Sequence, residues 1–267
     1  MILFLDLETT GLDLSEAHIV EFAALGYGFE PEPLRLLEMT GFSAGLVNPG
    51  IPIPPEASAV HHLVDADVAH APTEDALAGM LAEEYAGRTI EAICGHNVGA
   101  YDLPIARKRL RWPPDAPVLD TYRLARHAWP DLPSYKLGVL AYRFGLHPRD
   151  VPADLDRSGK AGQHSAGYDC LVCAALLRRI MLEVEWETEA PLWHWRARAA
   201  DAIGRGATPL LALAALSSAP ITVKTIRFGK HSGTAVKDLP RDYVAWLLKQ
   251  PWMQTEQPDL YATLRRM

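Results

Sequence analysis

The chain has 267 residues, 49% hydrophobic and 22% charged, a balance that excludes a disordered or fibrous protein. Its formal charge of -7 excludes a molecule coated in basic surface, although a protein that grips phosphates needs cations only along its substrate track. No uninterrupted apolar run reaches the ~18 residues of a membrane span, and Met1 leads straight into an apolar run without a basic signal region, so a cytoplasmic protein is the expectation.

Residues 2–7 form a short apolar run with an acid near its end, and residues 19–27 form another. The Thr-Gly segment between them predicts a β-hairpin, with a third strand over 42–48. Pro49, Pro52, Pro54 and Pro55 force residues 48–55 into an extended loop, because proline fits neither a central strand nor a helix interior. From Thr73 the apolar positions Leu77, Met80, Leu81 and Tyr85 recur at helical spacing, with Thr73 as N-cap and Gly87 as stop, ahead of a strand at 89–95. Residues 102–110 predict a helix, 113–117 a break, 118–121 a short strand, and 122–127 and 136–144 two more helices. Residues 147–163 read as loop, and 170–183 predict a long helix with Asp169 near its N-terminal end. Three strands followed by alternating strand and helix imply an α/β architecture, a mixed sheet flanked by helices.

The character of the chain changes at Pro191, where Trp186, Trp193 and Trp195 cluster as packing residues, and again at Pro220. This predicts a first domain over 1–185, a helical linker region over 186–219 and a small C-terminal module over 220–267. Within 220–250 the bases Lys224, Arg227, Lys230, Lys237, Arg241 and Lys249 outnumber Asp238 and Asp242. That asymmetry reads either as a phosphate-attracting surface or as ordinary solvated lysines. Tyr243, Trp246 and Leu247, at helical spacing, predict the core of the module. Cys170 and Cys173 make one CxxC, only half of a zinc pattern.

Asp6 and Glu8 stand two positions apart on the first strand, so both face one side of the sheet. Adjacent ionised carboxylates facing a core repel one another and resist desolvation, so they call for a cation or for a solvated strand end. Asp102 and Asp169 each lie at a loop-to-helix junction, where an acid serves equally well as a cap.

The segments DLETTG at 6–11, HNVGAYD at 96–102 and HSAGYD at 164–169 resemble, in order and spacing, the three motifs of the DEDDh group of 3′-to-5′ exonucleases. The resemblance covers residues 1 to about 185 and implies an RNase H-like fold. It implies Asp6, Glu8, Asp102 and Asp169 as ligands for two magnesium or manganese ions, and His164 as the mark of the histidine subtype. Histidine is suited to take a proton from a water, so His164 would be the general base. The resemblance further implies substrate contacts from the backbone of Thr9 and Gly11, from Leu12, and from His96 with Asn97; His61 is either another such contact or a solvated helix residue. One departure stands out: three residues, Val98, Gly99 and Ala100, separate Asn97 from the Tyr101-Asp102 pair where the family has two, and a turn at Gly99 would absorb the extra one. The tail around Arg227-Phe228-Gly229-Lys230-His231 and Asp242-Tyr243-Val244-Ala245-Trp246 resembles the C-terminal module of the exodeoxyribonuclease X group.

The resemblance implies an exonuclease that releases nucleoside 5′-monophosphates from DNA 3′ ends, single-stranded for preference, by a two-metal mechanism. RNA 3′-end trimming and a non-cutting nucleic-acid-binding module of the same fold stand as alternatives. Nucleic acid is the expected partner, with a homodimer or a polymerase or DNA-repair partner compatible with the same motifs.

Overall fold

The first strand, β1 (Ile2–Thr9), is apolar at every position up to Asp6, and a strand of that kind needs cover on both faces. The computed structural model describes residues 1–31, 34–130, 132–148, 151, 155, 164–186 and 208–267. In it β1 is the middle of a five-stranded sheet with β2 (Ile19–Pro31), β3 (Leu34–Leu46), β4 (Ala92–Gly95) and β5 (Val118–Asp120), in the order β3-β2-β1-β4-β5. The first three strands pair antiparallel, while β1 with β4 and β4 with β5 pair parallel. This is the mixed α/β sheet that the order of elements predicts.

The two faces of β1 have different coverings. Leu3, Leu5 and Leu7 join Phe22, Ala24 and Ile93 beneath Leu77 and Leu81 of α3 (Glu74–Glu84), its C-cap Tyr85, and Leu103, Ile105, Ala106 and Leu110 of α4 (Asp102–Leu110). The other face lies under the long helix Ala166–Trp186, which packs on β1 and β2. There the Phe4 ring meets Tyr27 edge-on at 5.1 Å, and the Arg178 guanidinium of that helix lies 5.4 Å from the Tyr27 ring. Asp6 and Glu8 continue the row of Ile2 and Phe4, since alternate residues of a strand share a face.

Most boundaries follow local chemistry. Two short helices, α1 (Pro55–His61) and α2 (Asp65–Val68), come after the proline-rich loop, with Pro55 at the first helical position, where a missing N–H costs nothing. Thr73 caps α3, its hydroxyl accepting from the Ala76 N–H at 3.3 Å. The short α5 (Thr121–Ala128) and α6 (Leu137–Phe144) precede the long helix, hereafter α7. The third strand begins at 34 rather than 42, because cross-strand pairing with β2 carries it on to Pro31↔Leu34. The helix α7 starts at Ala166 rather than 170. The loop reading of 149–150, 152–154 and 156–163, and the packing expected of the Trp186, Trp193 and Trp195 side chains, lie outside the described residues, as does most of the linker region 186–219. Its described end is α8 (Pro209–Ser218), where the Ser217 hydroxyl accepts from the Asp120 N–H at 2.9 Å. No helix among the described residues is long and apolar enough to cross a membrane.

The chain divides into two units, Met1–Ser217 and Ser218–Met267. The second is built from α9 (Arg241–Leu248), α10 (Trp252–Glu256), α11 (Pro258–Leu264) and 3-10 turns at Gly229–His231 and Val236–Asp238. Ile226, Val236, Leu239, Tyr243, Leu247, Met253, Leu260 and Leu264 form its core. Tyr243 and Leu247 take the core places that helical spacing assigns them, but Trp246 does not: it is 50% exposed.

Candidate active site

The end of β1 gathers the predicted carboxylates. Asp6 and Glu8 are half-buried on the α7 face of the strand. The first turn of α7 brings Asp169 to them, and the Asp169 Oδ2 accepts the His164 N–H at 3.2 Å. His164 is exposed and has φ of 68°, a left-handed backbone that histidine tolerates better than most side chains. Ligand atoms of Glu8, His164 and Asp169 all lie within 4.8 Å of one another.

Asp102 approaches from the other neighbour. The register of β4 with β1 ends at Phe4↔Cys94, so β4 stops short of Leu7, and the Leu7 N–H donates instead to Asp102 Oδ1 at 3.1 Å. Asp102 is buried at the start of α4.

These groups share a strained charge environment. Burial pushes the Asp6 carboxyl well above the usual range, and Asp102, Asp169 and Glu8 push it further. Burial, then Asp169, Glu21 and Asp102, raises Glu8 to about 8. Asp102 is raised to about 7 by burial, against the lowering pull of its own N–H and that of Leu7. Asp169 is raised to about 7 by burial, against the His164 N–H, with Glu21 adding repulsion. Like charges in a desolvated site are relieved either by protons or by a cation. Oxygen donors of this kind suit magnesium, manganese or calcium, so the residues fit a divalent ion.

Residues 3–177 match the profile of the RNase_T exonuclease family. The chain belongs to that family and is an exonuclease. Exodeoxyribonuclease 10 of Escherichia coli K12 is 28% identical to it, over 99% of this chain and 97% of that protein. Exonuclease X in complex with 5′ overhanging duplex DNA has a similar structure, with a TM-score of 0.51 and 29% identity over 70% of this chain and 94% of that one. Escherichia coli exonuclease I in complex with a dT13 oligonucleotide matches at a TM-score of 0.53 and 17% identity, over 73% and 43% of the two chains, a likeness of fold alone. The fold is thus the RNase H-like one expected.

Around the carboxylates of this exonuclease, the expected substrate contacts divide. The Thr9 hydroxyl donates to the Gly11 carbonyl at 2.9 Å, the Tyr101 hydroxyl bonds the same oxygen, and the two hydroxyls lie 2.5 Å apart. This latch shapes the turn after β1 and leaves the Leu12 side chain 86% exposed beside it. Asn97 is exposed as well, with φ of 67°.

Two of the expected residues point inward. His96 turns inward: its Nε2 donates to the Tyr135 carbonyl at 2.8 Å and its Nδ1 lies 3.0 Å from the Thr121 hydroxyl. Burial lowers it to about 4, so the ring is neutral, and both nitrogens have partners within the protein. His61 is buried at the end of α1, and its Nδ1 accepts the Leu63 N–H at 3.1 Å, so it is not a solvated helix residue. The extra residue of the second motif is absorbed in a turn closed by Ala100 N–H to the Asn97 carbonyl at 3.1 Å; Gly99 sits inside it, but Asn97 takes the left-handed backbone.

Sequence reasoning passed over Glu21. It lies opposite Glu8 in the β1/β2 register and is buried. Its carboxylate accepts the Ser165 hydroxyl at 3.2 Å and the Ala166 N–H at 3.3 Å, capping α7 from the sheet. The available signal was a lone acid in the apolar run Ile19-Val20-Glu21-Phe22-Ala23, since an unpartnered charge there would be heavily penalised. Asp120 has a similar supporting part: its Oδ1 caps α5 and accepts the Asn97 N–H at 3.0 Å.

Proposed function

We propose that this exonuclease removes nucleoside 5′-monophosphates from the 3′ ends of DNA, preferentially single-stranded, with two magnesium ions held by Asp6, Glu8, Asp102 and Asp169. The observation that carries the reading is the approach of Glu8, His164 and Asp169 to within 4.8 Å of one another, with Asp6 and Asp102 near enough to add to the repulsion, each carboxyl raised by burial. The choice of DNA rests on the near full-length similarity to exodeoxyribonuclease 10.

Bound divalent ions supply Lewis-acid polarisation of the scissile phosphate and offset its growing negative charge. The chain does the rest. His164, exposed and next to Glu8 and Asp169, takes a proton from a water as the water oxygen bonds to phosphorus. The bond from phosphorus to the 3′ oxygen breaks, and that oxygen gains a proton from solvent to leave a shortened strand with a 3′-hydroxyl. The Leu7 N–H fixes one oxygen of Asp102, so that side chain is oriented before substrate arrives. Leu12 offers an apolar surface to the terminal base, a contact that ignores sequence.

The test is digestion of a 5′-labelled single-stranded DNA oligonucleotide with Mg²⁺ or EDTA, alongside an RNA of the same sequence and a duplex with a recessed 3′ end. A metal-dependent ladder shrinking from the 3′ end of the DNA, absent in Asp6→Ala, is the expected result. Faster trimming of the RNA, or a ladder that survives Asp6→Ala, refutes the reading.

A further inference from the structure

The second unit carries a surface that the active site does not explain. Ser218–Met267 contains eight Lys and Arg against four Asp and Glu, a net charge of +4 in a chain whose total is -7, so residues 1–217 carry -11. Among the described residues, no ion pair joins Arg227, Lys230, Arg241 or Lys249 to a carboxylate. These four cations are therefore not neutralised by a carboxylate among the described residues.

The same unit carries Trp246, 50% exposed on α9. One side of the indole is already occupied: it stacks on Tyr243 with ring centres 5.6 Å apart and an angle of 19°. Tyr243 in turn is pinned by the Gly229–His231 turn, whose His231 ring lies 4.4 Å away and whose Lys230 Nζ lies 5.5 Å from the Tyr243 ring centre. Gly229 has φ of 64°, and a Cβ there would fall 2.9 Å from the Tyr243 hydroxyl, so the turn is laid directly against the ring. Lys249, the C-cap of the helix, follows Trp246 by three residues and Asp242 precedes it by four, both on the side of the indole. The result is a stacked aromatic pair with the indole half in water, Lys230 against its Tyr243 end, and Lys249 and Asp242 a helical turn to either side of Trp246.

A preorganised aromatic face bordered by cations is the arrangement that binds single-stranded nucleic acid without regard to sequence: bases stack and phosphates meet the lysines. We propose that Trp246, Lys230 and Lys249 form a docking site for single-stranded DNA on the C-terminal unit, separate from the residues that cut. The choice of DNA rests on the function proposed above; the stacking and charge argument stands without it.

The experiment measures binding of a fluorescent single-stranded DNA by the full chain in EDTA, where nothing is cut, over a range of salt. Trp246→Ala is expected to weaken binding about tenfold or more, with Trp246→Phe retaining most of it. A Lys230→Gln, Lys249→Gln double variant is expected to reduce the salt slope of log K by about 1.4, the share of two single-strand phosphates. Turnover of a trinucleotide at saturation should be unchanged in all of them. Affinity and salt slope equal to the parent in the lysine variant, or stronger Trp246-dependent binding of RNA or of anionic vesicles than of DNA, overturns the docking site. Should Trp246→Ala unfold the unit, the lysine pair still decides. A parent that cuts DNA in an Asp6-dependent way while these variants bind normally sinks the docking site alone; Trp246-dependent binding of DNA by a parent that never cuts it sinks the proposed function alone.

Discussion

Removing divalent ions with EDTA and raising the pH should destabilise the first unit. Glu8 is raised from 4.5 to about 8, and Asp102 and Asp169 from 3.8 to about 7. A carboxyl whose folded value exceeds its unfolded one contributes stability that is present below the unfolded value and is lost as pH rises toward the folded value. Between roughly pH 5 and 7 the unfolded chain has released these protons while the native site retains them, so stability falls with rising pH. Each retained proton is worth about 1.4 kcal/mol per pH unit. Counting only one, the loss from pH 5 to 7 is about 3 kcal/mol, or about 6 to 12 °C in Tm for a unit of this size. Mg²⁺ should reverse the loss, and by more at pH 8 than at pH 5, because its ligands must be ionised. The assay is thermal unfolding from pH 5 to 8.5, in EDTA and in Mg²⁺, with Glu8→Gln as a reference of shallower slope. A metal-free Tm that is flat over this range, or a magnesium gain independent of pH, would refute the electrostatic account of the site.

Three further outcomes are expected. His164→Ala should reduce kcat about a hundredfold or more with little change in KM; steady-state kinetics with equal losses in both would assign it to binding. Glu21→Gln keeps an acceptor for the Ala166 N–H but removes the charge that raises Glu8 and Asp169, so half-saturation by Mg²⁺ should move to lower pH, while Glu21→Ala should cost about 1 to 3 kcal/mol in denaturant unfolding through the lost cap. Gly95→Ala places a Cβ 2.5 Å from the Val98 Cβ and 2.7 Å from the Leu5 carbonyl oxygen; a loss of about 2 kcal/mol is expected, and an unaltered Tm would contradict the packing described here.

The sequence disclosed the sheet through its periodicity, and the carboxylates through three short motifs. What escaped it depends on partners distant in the chain. The early start of α7 is set by Glu21, 145 residues away from Ala166, so no local capping signal marks it. His96 sits in a motif next to Asn97, yet its ring is claimed by Thr121 and by the Tyr135 carbonyl, neither of which spacing alone could place beside it. Trp246 shares helical spacing with two core residues, and periodicity assigns it to the core; only packing shows that Tyr243 covers one side of it and leaves the other open.

The bond from the His164 N–H to the Asp169 carboxylate makes an interlock of two parts that the chemistry treats as separate. An ionised carboxylate accepts a hydrogen bond more strongly than a neutral one, so on the function proposed above the proton loss that would ready Asp169 for a cation also draws in the backbone that bears His164, the proposed base. A molecule short of metal keeps Asp169 neutral at mildly acid pH and holds His164 less firmly. On that reading a single event, the charging of one side chain, would prepare both the metal ligand and the base.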